Sequence, residues 1–572
     1  MVTHALMGML ALASAGGAGP ARADDTGVLV DAGKTIATVP EGIFSAGYNG
    51  WHDITHPSAV RALNDIGIRF LRIDVDLGQI CGERSGDFRW EYTVPRDVGL
   101  GFVSRVKKLI DNGWVPVLAF STCRSMPAWF RGEEGNVAKT WFKYNRDGSP
   151  AADGIGDQYE EFSHLAETIA TGLSERGLQG LHWETIYELG ADMPLADIHY
   201  FAARGIRQAD LSARVMGPAT WPGWTVRERF LKPFLGKYGA ELLDYVTVHW
   251  YATCTHELWD AGFKPEETIL TMADHKYLTY CMEIAPQYAD WCRQLRELLD
   301  DPELNPTGKR IGIAFTEFDV NAYSPYMRTP ANPDWPKYRA DADCYVNTNY
   351  FGGVWCAEVL LGMAATGCVD IAMKFNTRSY YGLVENRPEG GYMRQPIWFA
   401  WKLLQQAGGF RPGAAMLHTQ VEGPRDEGVG HVKRAGNLPW VSAYALGSSD
   451  DLRIVLINRS LDAQRVDVRV QRLAQDRGDM AARRYRFSQQ RVAAFIGRRP
   501  DQKGDGHFEG YPEDSANEEA LRELDSVPVT WEARTGMLAG LTCPGISVTV
   551  LVLGASAEPA KGGKVRPSAE EN

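Results

Sequence analysis

Between residues 42 and 376 the chain alternates two textures. Short apolar runs rich in β-branched residues give way to longer segments in which apolar positions recur every three or four residues. The short runs have the length and composition of buried strands, and the longer ones have the period of helices packed on a sheet. Eight runs read as strands: "GIFSAGYN" (42–49), "IRFLRIDV" (68–75), "VPVLAF" (115–120), "LHWETIYE" (181–188), "ARVMGPA" (213–219), "DYVTVHWY" (244–251), "IGIAFTEF" (311–318) and "VDIAMKFN" (369–376). Amphipathic stretches between them, such as "VGLGFVSRVKKLIDNG" and "FGGVWCAEVLLGMAATG", end on a glycine of the kind that closes helices. This α/β pattern predicts a (β/α)8 TIM barrel over residues 41–409.

After Gly409 the helical period stops. "WVSAYALGSSDDLRIVLINRS", "QRVDVRVQRL", "RRYRFS" and "GISVTVLVLGA" alternate apolar and polar positions, which predicts an accessory C-terminal antiparallel β-sandwich over 410–556. A polar stretch near 498–526 reads as a loop and residues 557–572 as a disordered tail. The early run "GVLVDAGKTIATV" (27–39) lies too far from the first barrel strand to be part of it, so residues 24–40 are expected to add a strand to the sandwich.

Composition narrows the class. With 44% hydrophobic and 23% charged residues, the 572-residue chain has the makeup of a globular enzyme with more than one core. The net charge of -12 is spread over mixed charges with no basic stripe, which argues against a nucleic-acid partner. Residues 5–20 form a short apolar run followed by "ARA" before Asp24, the pattern of a cleaved signal peptide (1–23), so a secreted or periplasmic protein is expected. No later stretch offers the ~20 apolar residues of a membrane span. The nine cysteines contain no Cys-x-x-Cys pair; a Cys254–Cys281 bridge is one option for an exported chain, and buried thiols acting as small hydrophobes are the reading for most of them.

Chemistry in such a barrel gathers at the C-terminal strand ends. The fourth strand ends at Glu188 and the seventh at Glu317, a carboxylate pair of the kind glycosidic cleavage uses. The sixth strand supplies His249 and Tyr251 on one face, and the tyrosine hydroxyl is placed to bond a nucleophilic carboxylate and hold it ionised, unless the two simply pack. Arg72, followed by Asp74 and Asp76, is expected to pair with the seventh-strand carboxylate and lower its pKa, the alternative being an ion pair within "RFLRIDVD" itself. Aromatic residues just beyond strand ends (Trp51, Trp129, Trp221, Trp224, Tyr380 and Tyr381) suit the apolar faces of sugar rings. Asn376 closes the eighth strand, and Lys374 and Arg378 flank that end, where two cations suit a uronic acid carboxylate. No Gly-x-Ser-x-Gly elbow, His-Glu-x-x-His, Walker loop or Gly-x-Gly-x-x-Gly occurs.

The stretch "WETIYELG" is similar to the W-E-x-W-N-E-P segment of clan A retaining glycosidases, with Trp183, Glu184 and Glu188 in register. "IAFTEF" resembles that clan's nucleophile strand, "DYVTVHWY" its His-x-Tyr strand and "RVMGPATW" the strand between. Together with "YYGLV" and the trailing sandwich, the chain most resembles glycoside hydrolase family 39, which includes β-xylosidases and α-L-iduronidases. The resemblance implies a carbohydrate substrate, Glu188 as acid/base, Glu317 as nucleophile, net retention, and no metal or organic cofactor. It departs at Tyr187, where the clan has an asparagine that bonds the sugar's C2 hydroxyl, and at Leu189, where it has a proline. A carbohydrate-binding relative without turnover and a barrel enzyme of another class remain the alternatives.

Overall fold

The computed structural model describes residues 25–48, 56–82, 86–93, 100–122, 126–127, 158–190, 193–252, 275–320, 350–377, 382–386, 391–426, 437–472, 481–489, 517–532 and 535–554. A first strand, β1 (Thr26–Thr38), precedes eight parallel strands that close into a barrel: β2 (Gly42–Tyr48), β3 (Phe70–Val75), β4 (Val115–Phe120), β5 (His182–Glu184), β6 (Arg214–Thr220), β7 (Tyr245–Tyr251), β8 (Gly312–Asp319) and β9 (Ile371–Lys374). Each of the eight apolar runs overlaps one barrel strand, but the fourth stops short: β5 ends at Glu184, four residues before the expected end at Glu188. Helices Pro57–Asp65, Phe102–Asp111, Gln158–Ser174, Leu195–Ala209, Gln287–Leu299 and Tyr350–Ala365 lie between them, so both faces of every strand are covered and the strands read as continuous apolar runs. Gly113 and Gly367 sit just past two of these helices at φ of 89° and 66°, left-handed values that glycine adopts without penalty.

Inside the barrel, Phe70, Val117, Met216, Ala314, Ile371 and Met373 form an apolar plug. Side chains one pleat further along the same strands point toward the C-terminal mouth above it. Where the strands are regular, alternation therefore decides which residues reach the site.

Following a small hairpin, β10 (Val384–Asn386) with β11 (Tyr392–Arg394), and helix Pro396–Gln406, the described residues are mainly strand, with one helical turn at Glu519–Leu521. The strands are β12 (Ala415–Glu422), β13 (Val441–Gly447), β14 (Asp451–Asn458), β15 (Gln464–Gln471), β16 (Ala481–Phe487), β17 (Asp525–Pro528), β18 (Thr530–Glu532), β19 (Thr535–Cys543) and β20 (Ser547–Gly554). They join in one order, β17-β16-β20-β14-β13-β12-β1-β15-β19-β18. β1 sits in the middle of it, antiparallel to β12 and parallel to β15. Strands distant in that order share one core, in which Leu452, Ile454, Leu456, Leu551 and Leu553 meet Val466, Val468, Leu538 and Leu541, so the sheet folds over on itself.

The opposite faces of β14 and β20 are also apolar. Val455, Ile457, Val548, Val550 and Val552 pack into the barrel's own helix layer, which docks the two domains. At this junction the buried carboxyl of Glu358, from helix Tyr350–Ala365, accepts hydrogen bonds from Ser442 Oγ (2.8 Å) and Tyr444 Oη (3.1 Å) on β13. Burial pushes the Glu358 carboxyl above the usual glutamate range, against Arg459 and the two hydroxyls. Among the described residues no helix is long and apolar enough to cross a membrane. Cys81, Cys292, Cys356 and Cys543 are buried free thiols, Cys281 is buried, and Cys254 lies outside the described residues.

Replacing Glu358 with alanine strands two part-buried hydroxyls, those of Ser442 and Tyr444, at the domain junction. The expected cost is about 1–3 kcal/mol, read as a lower thermal midpoint, while Glu358→Gln, which keeps an acceptor, costs less.

Candidate active site

The site is assembled on a buried arginine. Arg72, inward-facing on β3, sends Nε to Glu184 Oε2 on β5 (2.5 Å) and Nη1 to Glu317 Oε1 on β8 (2.9 Å), with Asp74 Oδ1 at 3.6 Å from Nη1. Arg72, Glu184 and Glu317 are all essentially sealed from solvent. Burial alone would lower the arginine's pKa, but Glu184 first, then Glu317 and Asp74, raise it well above normal. The guanidinium is therefore a permanent charge. Its neighbour Arg69, on the other face of the strand, pairs with Glu41 at the surface.

Strand irregularities aim the carboxylates. In the pairing of β7 with β8 the register slips between Val248 and His249, so that Phe315 and Glu317 face consecutive residues and Thr316 is the extra one. Such a bulge turns two neighbouring side chains to the same side. Thr316 Oγ1 donates to Glu184 Oε1 (2.6 Å) while Glu317 reaches Arg72. β5 is only three residues long, and after Glu184 the chain leaves the strand; Glu188 lies at φ 48°, its N–H bonded to Ala219 O (3.0 Å), and Ala219 is itself left-handed at φ 48°. Two adjacent non-glycine residues in that region are a local strain of the type that clusters at functional sites.

The two carboxylates then converge. Tyr251 Oη donates to Glu317 Oε2 (2.5 Å), and His249 Nδ1 stands 2.9 Å from Glu188 Oε1 and 3.6 Å from Glu317 Oε2. One oxygen of each glutamate and a His249 ring nitrogen all lie within 4.8 Å of one another. Glu317 is buried, whereas the Glu188 side chain is 38% exposed. These are side chains of metal-ligating type, but Arg72 and Tyr251 take both oxygens of Glu317 and the guanidinium disfavours a second cation, so the arrangement reads as an ion-paired cluster.

The charges tune one another. Burial lowers the His249 pKa, and Glu317 and Glu188 more than offset it, leaving the imidazole more readily charged than usual. Burial raises the Glu317 pKa and prevails over His249, Arg72 and Tyr251, which pull it down. The expectation that Arg72 sets a lowered pKa is thus reversed: the attraction is present, and desolvation of the carboxylate is larger. Burial and Glu317 drive the Tyr251 hydroxyl well above the usual phenol range, so it remains a donor.

Tyr187 is almost fully buried. Its ring covers the Arg72 guanidinium at 4.6 Å, stands edge-on to His249 at 5.7 Å, and its N–H donates to Thr122 Oγ1 (3.0 Å). Lys374 is not offered to a ligand: its Nζ pairs with Asp319 Oδ2 at 2.6 Å, both side chains fully enclosed, and this burial corrects its assignment as a substrate clamp. Asn376, at φ 78°, is buried beyond β9 with Oδ1 lacking a hydrogen-bond partner. Trp221 and Trp224 are 42% and 63% exposed just past β6. Trp51, Trp129, Arg378, Tyr380 and Tyr381 lie outside the described residues. Sequence reasoning underused Glu184 and Thr316. Glu184 shares the parity of Glu188 in "WETIYE", a signal within reach, whereas Thr316 is found only through the bulge.

No protein-family model matches the chain, and no curated protein matches it by sequence. Solved structures do share the whole architecture, a parallel eight-stranded barrel with an attached β-domain. One is a family 51 α-L-arabinofuranosidase from Bifidobacterium longum, at TM-score 0.57 and 14% identity over 93% of this chain and 99% of that one. Another is a monomeric β-xylosidase from Caulobacter crescentus, at 0.55 and 15% over 93% and 100%. A third is a family 39 enzyme from Xanthomonas axonopodis pv. citri, at 0.54 and 14% over 92% and 97%. At these identities the likeness is one of fold, and family 39 stands beside family 51 among the similar structures.

Arg72→Met leaves Glu184 and Glu317 buried together without a counter-charge. A loss of about 3–5 kcal/mol in urea unfolding is expected, against less than about 1 kcal/mol for Arg69→Met at the surface.

Proposed function

We propose that this protein is a retaining glycoside hydrolase. The observation that carries the reading is the pairing of a buried, triply held Glu317 with a half-exposed Glu188, their oxygens within 4.8 Å across the barrel mouth. Retaining glycosidases set their carboxyl groups ~5–5.5 Å apart, whereas inverting enzymes leave ~6.5–9.5 Å for a water. The shared fold with an arabinofuranosidase and a β-xylosidase supports the same class.

In this mechanism Glu317 Oε attacks the anomeric carbon as the bond to the leaving oxygen breaks, and Glu188 gives its proton to that oxygen. Arg72 and Tyr251 hold the attacking carboxylate against rotation, and their bonds to it loosen as its charge passes into the glycosyl ester. Glu188, now anionic beside His249, takes a proton from water, which cleaves the ester and restores Glu317. Glu317, Glu188 and the attacking water between them supply every proton and electron pair of the two steps.

The substrate we assign is an oligo- or polysaccharide met outside the cytoplasm, the N-terminal apolar run being the basis for export. Exposed Trp221 and Trp224 beside the Glu188 loop provide flat apolar surface for sugar rings beyond the cleaved bond. Family 39 is our family reading, from the strand motifs, with Tyr187 marking a different contact at the sugar's C2.

Glu317→Ala is expected to abolish turnover of activated aryl glycosides, and Glu188→Ala to retain glycosylation and be rescued by azide, which attacks without a base. The first-formed anomer, followed by proton NMR, should keep the substrate's configuration; inversion overturns the mechanism. Trp221→Ala with Trp224→Ala should raise KM on a cleaved polymer about tenfold or more and leave aryl glycosides unaffected, since covering the apolar face of a sugar ring contributes roughly 25 cal/mol per Å² of apolar surface removed from water.

A further inference from the structure

Glu184 has no place in the chemistry above, yet its contact with Arg72 is as short as the one Tyr251 makes with Glu317. Its two oxygens are divided: Oε2 takes Arg72 Nε at 2.5 Å, and Oε1 takes the Thr316 hydroxyl at 2.6 Å. Both partners lead to Glu317, one through the same guanidinium and the other through the adjacent residue of the β8 bulge. One cation is thus shared by two buried carboxylates, with Asp74 as a third and more distant claimant.

We propose that Glu184 is a positioning residue that competes with Glu317 for Arg72 and so sets how firmly the guanidinium holds the carboxylate used for attack. A carboxylate paired with a whole, undivided guanidinium would be well ionised but poorly available to attack carbon. Splitting the arginine between two acids keeps Glu317 oriented and leaves its lone pair free to move toward a substrate. Tyr187 closes the remaining side of the guanidinium and keeps water from relieving the competition.

The ionisation of Glu317 reports on this division. The groups acting on it directly are Arg72 from β3, Glu188 from the loop after β5, and His249 and Tyr251 from β7; Asp74 on β3 and Glu184 on β5 reach it through Arg72, while Lys374 on β9 pairs with Asp319. Removing the charge of Glu184 gives Arg72 more fully to Glu317 and takes away a repelling anion. Both changes favour ionised Glu317, so its midpoint falls and the ascending limb of any activity profile moves to lower pH.

The test is a 13C carboxyl NMR titration of the full chain labelled at glutamate, with the Glu317 resonance assigned by its loss in Glu317→Gln. In Glu184→Gln, which keeps shape and the Thr316 contact, the Glu317 midpoint should fall by about one pH unit. With a cleavable glycoside, kcat should drop while KM changes little, and the acid limb should follow the NMR midpoint. A midpoint that stays in place, with activity lost evenly at all pH values, would make Glu184 merely structural and overturn the proposal. Should Glu184→Gln not fold, Glu184→Asp withdraws the carboxylate from Arg72 and should shift the midpoint the same way by less; an unmoved midpoint there is equally fatal. The inference takes its meaning for rate from the glycosidase reading, but the titration does not. A midpoint that moves in a protein that cleaves no glycoside would sink the activity and keep the charge division.

Discussion

Among the described residues, the charged groups at the barrel mouth are arranged around one guanidinium, Arg72, buried at the level where the apolar plug ends. A buried cation is expensive unless its partners are close and numerous, and Arg72 has three carboxylates and an aromatic face. Those partners come from β3, β5, β8 and the loop after β5, so the charge can be satisfied only when the barrel closes in the correct register. The same demand that stabilises closure delivers Glu317 to the site in a fixed orientation.

Opposing physical effects decide each ionisation state in the cluster. Around Glu317 stand a guanidinium, an imidazole and a phenol, all favouring the anion, and burial still prevails. Around His249 the balance goes the other way, because two carboxylates act on one ring. Glu188 differs from both in standing at the solvent edge, on a left-handed residue tied to the next strand. Two carboxylates of one chemical type thereby occupy unlike environments.

The second domain bears on the site indirectly. Its β14 and β20 have apolar residues on both faces, one set for the folded-over sheet and one for the barrel's helices, so the barrel is braced on that side by a layer that is itself close-packed. β1, the first of the described strands, lies between β12 and β15 in this sheet, so the chain contributes to the second domain before it enters the barrel.

By itself the sequence determined the eight-strand alternation, the change of texture after Gly409, and the placing of Arg72, His249, Tyr251 and Glu317 on barrel strands, with Glu188 following one. Each of these is written in local period and residue type, and burial on both faces of the strands enforces that period. What only the tertiary structure decided lies where the period breaks. By alternation Tyr187 belongs outside the barrel, yet β5 stops at Glu184 and the freed chain turns the ring over Arg72. Thr316 and Glu317 should face opposite ways, but the bulge brings both to the interior. Lys374 reads as a free cation from its neighbours in sequence, and Asp319 on the adjacent strand claims it. Register slips and cross-strand ion pairs depend on what the neighbouring strand presents, and a single strand's sequence carries no record of its neighbour.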